Sequence, residues 1–97
     1  MATYKITKDG DTLKIGFADP GTNDMIVKDA TKALTDLDLA GGKIIKIDGP
    51  ASLPVACVLA HVLAHKFGAV AVKDPKLGKF VVAITHDPDF ALGALID

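Results

Sequence analysis

The sequence contains no arginine and no glutamate: its 11 basic residues are all lysine and its 12 acidic residues all aspartate. Without guanidinium groups the chain has no planar fork to grip phosphates bidentately or to stack on bases. A net charge of −1 provides no basic field to draw in a long nucleic acid, so duplex DNA is not an expected partner. Aspartate suits turns and caps better than helix interiors. The single cysteine, Cys57, excludes an intrachain disulfide and fits a reducing compartment. There is no signal peptide and no apolar run of about 18 residues, so no membrane partner is expected and a cytoplasmic location is the default.

What is present is a chain of 97 residues, 49% hydrophobic, enough for one domain with one core. It shows no linker, repeat or low-complexity segment, so residues 1–97 are expected to form a single domain. Alternation over Thr3 to Thr7 and over Thr12 to Phe17, around Asp9-Gly10, predicts a β-hairpin. Asp19-Pro20-Gly21 breaks the second strand. Thr22, Asn23 or Asp24 can then cap a helix over Met25 to Leu37, with Ile26, Ala30, Ala33, Leu34 and Leu37 at helical spacing. Gly41-Gly42 precedes a short strand, Lys43 to Ile47. Ser52 caps a second helix, Pro54 sits in its first turn, and Gly68 is its natural stop. Two further strands are expected at Ala69 to Lys73 and Phe80 to Thr85. The tail from Asp87 onward reads equally as helical or extended.

The order ββαβαββ predicts an α/β fold: a small mixed sheet of about five strands with two helices, loosely Rossmann-like. In such sheets ligands bind beyond the carboxyl ends of the strands. Those ends carry Asp48-Gly49-Pro50 and Lys73-Asp74-Pro75, which therefore mark one place reached from two parts of the sequence.

All three histidines lie between Gly49 and His86. His61 and His65, four apart, share a helix face, with Cys57 one turn earlier. The second helix is apolar nearly all round, so burial on most sides is expected, with Leu59 and Leu63 in the core. The histidine spacing allows two readings: a pair of ligands for one divalent metal, or hydrogen-bonded structural imidazoles. The residue after His61 is Val62 rather than glutamate, which removes the general base of a zinc protease. Asp74 reads as a turn starter before Pro75, or as a carboxylate reaching the histidine face; two imidazoles and a carboxylate would suit manganese or another hydrolytic divalent ion. His86 reads as solvated and Cys57 as a small core residue. Gly49-Pro50 before a helix N-terminus offers a phosphate some free backbone N–H groups, without being a Walker motif. Lys66, Lys73, Lys76 and Lys79 form either a modest patch for a small anion or a solvated rim.

Taken together, Gly49-Pro50, Leu59-Ala60-His61-x-x-x-His65, Ala71-Val72, Asp74-Pro75-Lys76-Leu77-Gly78, Val81-Val82 and Thr85-His86 resemble the small CRISPR-associated ring nucleases of the Csx-three type. These are distant relatives of the CARF-domain sensors of type III CRISPR defence; the first 48 residues match only in pattern. The resemblance implies a manganese-dependent phosphodiesterase that degrades cyclic tetra-adenylate, with related activity on the 3′ ends of RNA. It implies a homodimer that assembles into a tetramer or stack around the ring. His61, His65 and Asp74 would be the catalytic and metal residues. Gly49, Pro50, Ser52, Lys76 and His86 would lie on the ligand side. The chain departs from the family in having Lys76 where arginine is usual, and smaller residues at Ala51 to Pro54. The alternative is a module that senses or sequesters a cyclic oligonucleotide without cutting it.

Overall fold

The structure, a computed structural model, describes residues 2–97. Strands β1 (Tyr4–Asp9) and β2 (Thr12–Phe17) form the expected hairpin, closed by Gly10 at φ 63° and Asp11. Alternation buries Tyr4, Ile6, Leu13 and Ile15 on one face. Phe17 shares their parity but lies at the strand end, 45% exposed, and meets the Tyr4 ring edge-on at 5.3 Å. Helix α1 (Asn23–Leu37) follows Thr22, whose hydroxyl donates to Asp24 instead of capping a backbone N–H. Its buried stripe is Ile26, Ala30 and Leu34. Asp29 ties this helix to the start of the chain, accepting from the Thr3 backbone N–H (2.8 Å) and hydroxyl (2.7 Å). Those hydrogen bonds hold its carboxyl below the usual aspartate range.

Strand β3 (Gly42–Asp48), helix α2 (Leu53–Ala64) and strands β4 (Phe67–Asp74), β5 (Lys79–Thr85) and β6 (Leu95–Ile96) complete the order. The sheet has six strands in sequence order. β2, β3 and β4 are parallel; the pairs β1/β2, β4/β5 and β5/β6 are antiparallel. The Rossmann-like part is the run β2–α1–β3–α2–β4. The sheet grows in one direction only, so crossovers of one hand put both helices on the same face. They share one core there with Leu13, Ile45, Val70 and their neighbours.

The opposite face is covered by the chain after β5. Phe90, Ala94 and Ile96 pack on Ala69, Ala71, Phe80 and Val82. The extended reading of the tail is therefore the one realised, and it supplies the sixth strand. β6 is only two residues long, too short to leave an alternation signal. Ion pairs hold this covering: Lys43 to Asp87 (3.0 Å) and Asp89 (2.6 Å), and Lys79 to Asp97.

Two details shape the edge of the sheet. Val70 pairs with Ile84 but Ala71 with Val82, which leaves Ala83 as an extra residue in β5. The bulge reverses which way β5 side chains point: Phe80 and Val82 face the tail, while Ile84 faces the helices. Helix α2 also ends earlier than Gly68. Its C-cap is His65, and Gly68 already belongs to β4. Among the described residues no helix is long and apolar enough to cross a membrane.

Candidate functional site

The candidate residues sort into two groups at opposite ends of the sheet. At the carboxyl end, Ile47 pairs with Val72, so the loop after β3 and the turn after β4 are neighbours, as the sequence implied. Gly49 has φ 138°, and a Cβ there would lie 1.9 Å from the Ile15 carbonyl oxygen. Only glycine lets the loop pass this close to β2. The Tyr4 hydroxyl donates to the Pro50 carbonyl at 2.6 Å. Burial pushes this phenol up to about 12. Ser52 is the N-cap of α2: its Oγ accepts from the Val55 N–H (3.4 Å) and donates to Asn23 (2.7 Å), linking the starts of both helices.

Asp74 opens the β4–β5 turn. Its Oδ1 accepts from the backbone N–H groups of Lys76 (2.9 Å) and Leu77 (3.3 Å), and Gly78 closes the turn at φ 64°. One carboxylate oxygen is thus spent on the local turn, the bland role expected of aspartate before proline. Lys76 is exposed, and Val72, Asp74, Pro75, Lys76 and Val81 line an open depression.

The other group lies toward the amino end of the parallel strands. His61 and His65 are both exposed, with ring centroids 4.8 Å apart and ring planes at 64°. Among the described residues neither ring has a hydrogen-bond partner. His86 is exposed, as expected, and is also anchored: its Nε2 lies 3.0 Å from the Phe67 carbonyl and its backbone N–H donates to the Gly68 carbonyl. Cys57, expected in the core, is exposed. The reason is the same for Cys57 and both helix histidines. Only one stripe of α2, Val55, Leu59 and Leu63, is buried, and the opposite side meets solvent.

The expected convergence of Asp74 on the histidines does not occur within one chain. The C-terminal end of α2 adjoins the start of β4, and Asp74 lies at that strand's far end. Eight extended residues separate the ends by roughly 20 Å. Among the described residues no group of three His, Cys, Asp or Glu side chains could hold a metal ion. His61, His65 and Asp74 of one chain therefore do not fit a shared manganese ion. The strand–helix–strand order already contained this separation: a helix returning across a sheet delivers its last residues to the starts of the strands.

Sequence reasoning missed a groove of about 270 Å³ between α2 and β4–β5. Ala56, Ala60, Val72, Ala83 and Ile84 contribute to its walls. No polar marker announces it; it exists because α2 does not extend over β5. The lysine cluster divides as well. Lys66 donates to the Leu39 carbonyl (3.3 Å), and Lys79 pairs with Asp97. Lys46 and Lys73 lie over the Phe80 ring at 5.6 and 4.9 Å. Such contacts place a cation over the electron-rich face of an aromatic ring.

Residues 20–97 match the family model described as CRISPR-associated protein (Cas_csx3), and the chain belongs to that family. Comparison with curated proteins and with solved structures gives no match.

Proposed function

We propose that the protein is a phosphodiesterase that degrades cyclic tetra-adenylate in type III CRISPR defence, acting as an assembly of several copies. The family membership supports the substrate class. The observation that carries the assembly is the placement of candidate residues at two ends of one sheet. Gly49, Pro50, Ser52, Asp74 and Lys76 lie at one end, and His65 and His86 toward the other. A head-to-tail contact between copies, or between dimers, would put the two groups on either side of one ring. Such contacts close into rings or extend as stacks. A 97-residue chain is too small to enclose a cyclic tetranucleotide alone.

In this reading the loop at Gly49 and the exposed Lys76 hold phosphates, and a histidine moves the proton of the attacking or leaving oxygen. The manganese requirement implied by the resemblance belongs to the assembled oligomer, because one chain does not gather the donors. Trimming of short RNA 3′ ends would use the same groups. The second reading, a sensor or sequestering module that does not cut, is favoured by one observation: Asp74 is already engaged by its own turn.

The test is incubation with cyclic oligoadenylates of several sizes, with and without manganese, followed by chromatography of the products. His65→Ala and Asp74→Ala should each slow cleavage about a hundred-fold while leaving binding nearly intact. An equal mixture of the two variants should recover about a quarter of the wild-type sites, since a shared site needs one good residue from each copy. No recovery would place both residues in one copy's site. Tight binding by the wild type with no products in any condition would leave the sensor reading.

A further inference from the structure

We infer that the cleft between the β1–β2 turn and the loop joining α1 to β3 binds a single adenine nucleotide. It shares no residue with the ligand side or the histidines described above, and stands whether or not the chain cuts a cyclic substrate. The cleft has a volume of about 440 Å³. Small-ligand sites usually run from about 300 to 1,000 Å³, mostly apolar, with a few placed polar groups. Leu37, Leu39, Ile45 and Phe67 give this one apolar walls, and Gly10 and Asp11 line it from the hairpin. The loop wall is fixed in place. The Gly42 N–H donates to the Lys66 carbonyl at 3.1 Å, and a Cβ on Gly41 would lie 2.6 Å from the same oxygen.

The polar groups come from the backbone of β3. Its pairing with β2 starts only at Lys46, opposite Thr12, and the Lys46 N–H donates to the Asp11 carbonyl at 2.8 Å. Alternate residues of a strand direct their N–H and C=O groups to the same side. Those of Ile44 therefore also point toward the β2 side, where no strand stands. In the pairing of Ile44 with Ala69, it is Lys43 and Ile45 on either side that bond to β4. Ile44 is half-buried and lines the cleft, and among the described residues neither of its backbone groups has a partner. A donor and an acceptor left open side by side in a cleft call for a ligand group. A docked peptide strand is excluded by length, since strand addition needs a run of such pairs and only one is open here.

One donor beside one acceptor also selects the base. The Watson–Crick edge of adenine carries two hydrogen-bonding groups, the amino group and the ring nitrogen next to it, and one backbone pair satisfies both. Guanine, cytosine and uracil carry three on that edge, so one would be left unpaired against apolar walls. Charges at the rim serve the rest of the nucleotide. Lys8 continues the inward side of β1 beyond Tyr4 and Ile6, and Asp38 is the C-cap of α1. Both are exposed, both line the cleft, and neither makes an ion pair among the described residues. A carboxylate suits ribose hydroxyls and an ammonium suits a phosphate.

The experiment is titration of the full chain with adenosine monophosphate, read by calorimetry and by NMR of the backbone amides. The expected result is one nucleotide per chain, with an Ile44 amide that exchanges rapidly in the free protein and is protected in the complex. Guanosine, cytidine and uridine monophosphates should bind about ten-fold or more weakly. Ala40→Phe, at an exposed position of the cleft, should abolish binding. Lys8→Ala should weaken the monophosphate several-fold and leave adenosine unaffected. Asp38→Asn, which tolerates the left-handed cap, should weaken both. Circular dichroism checks that the variants fold. Asp74→Ala, the test of ring cleavage, should leave this binding unchanged, so the two readings fail separately. No saturable binding, equal binding of all the monophosphates, full binding in Ala40→Phe, or an Ile44 amide unaltered by the nucleotide would each overturn the inference.

Discussion

Tyr4 shows how a single residue links the core to the candidate ligand loop. Its ring is buried in the main cluster and its hydroxyl holds the Pro50 carbonyl at 2.6 Å. Burial penalises the phenolate, so the folded protein retains the phenol proton to about 12. The folded value lies above the ordinary value of 10.0, so the contribution to stability is full below that value. It is lost progressively as pH rises from there through the folded value. The chain has one tyrosine and no tryptophan, so phenolate absorbance reads this group alone. The native protein should ionise late in an ultraviolet titration and the denatured protein near the ordinary value. Identical titrations of the two would show that the hydroxyl is not held as described. Tyr4→Phe should cost about 1 kcal/mol, since the exposed Pro50 carbonyl can turn to water instead.

At the scale of elements, α2 has two separable roles. Its inward stripe is structural: Leu59 is 2% exposed and Leu63 fully buried. Its outward stripe is chemical. Leu59→Ala should destabilise the fold by about 3 kcal/mol through lost burial and a cavity. His65→Ala, on the exposed side, should change stability by less than about 0.5 kcal/mol. Chemical denaturation of both variants checks the contrast. Comparable losses would mean that the outward stripe is packed and that the histidines are structural. The strand after α2 shows the same division, with Phe67 and Val70 in the core and Asp74 committed to the turn.

For the whole molecule, the unusual feature is an uncharged, partly apolar strip on the helix side. The exposed positions of α2 include Leu53, Pro54, Ala56, Cys57 and His61, with no lysine or aspartate among them. Leu53 is 83% exposed, and Val72, 38% exposed, lines the groove beside α2. A surface helix ordinarily turns charge outward, and a contiguous apolar strip beside a groove marks a contact surface. On the reading that copies assemble, this strip should lie in a contact between copies. Val72→Asp, at a half-open position, should then shift the protein toward monomer in sedimentation while leaving its circular dichroism unchanged. An unaltered sedimentation profile would move the contact elsewhere on the surface.

Local signals settled much of this molecule before any contact was known. Alternation and Gly10 specified the hairpin, and the bounds of β2 are those expected. Ser52 and Pro54 marked the start of α2. Helical spacing put Leu59 and Leu63 inward. The paired ends at Gly49 and Asp74 followed from the strand–helix–strand order. Each of these depends on residues close in sequence, or on a rule that all such chains obey. Only the tertiary structure decided that a two-residue β6 completes the sheet and that the tail covers its second face. It also decided that only one stripe of α2 is buried, which exposes Cys57, His61 and His65, and that α2 covers β5 only in part, which opens the groove. Those outcomes depend on how far a helix reaches across a sheet and where a distant segment returns. Periodicity reports which side of an element is apolar, but not how much of it a neighbour covers. The separation of Asp74 from the histidines is of the other kind: nine residues from His65 in sequence, it stands at the opposite end of the strand they lead into, as the strand–helix–strand order requires.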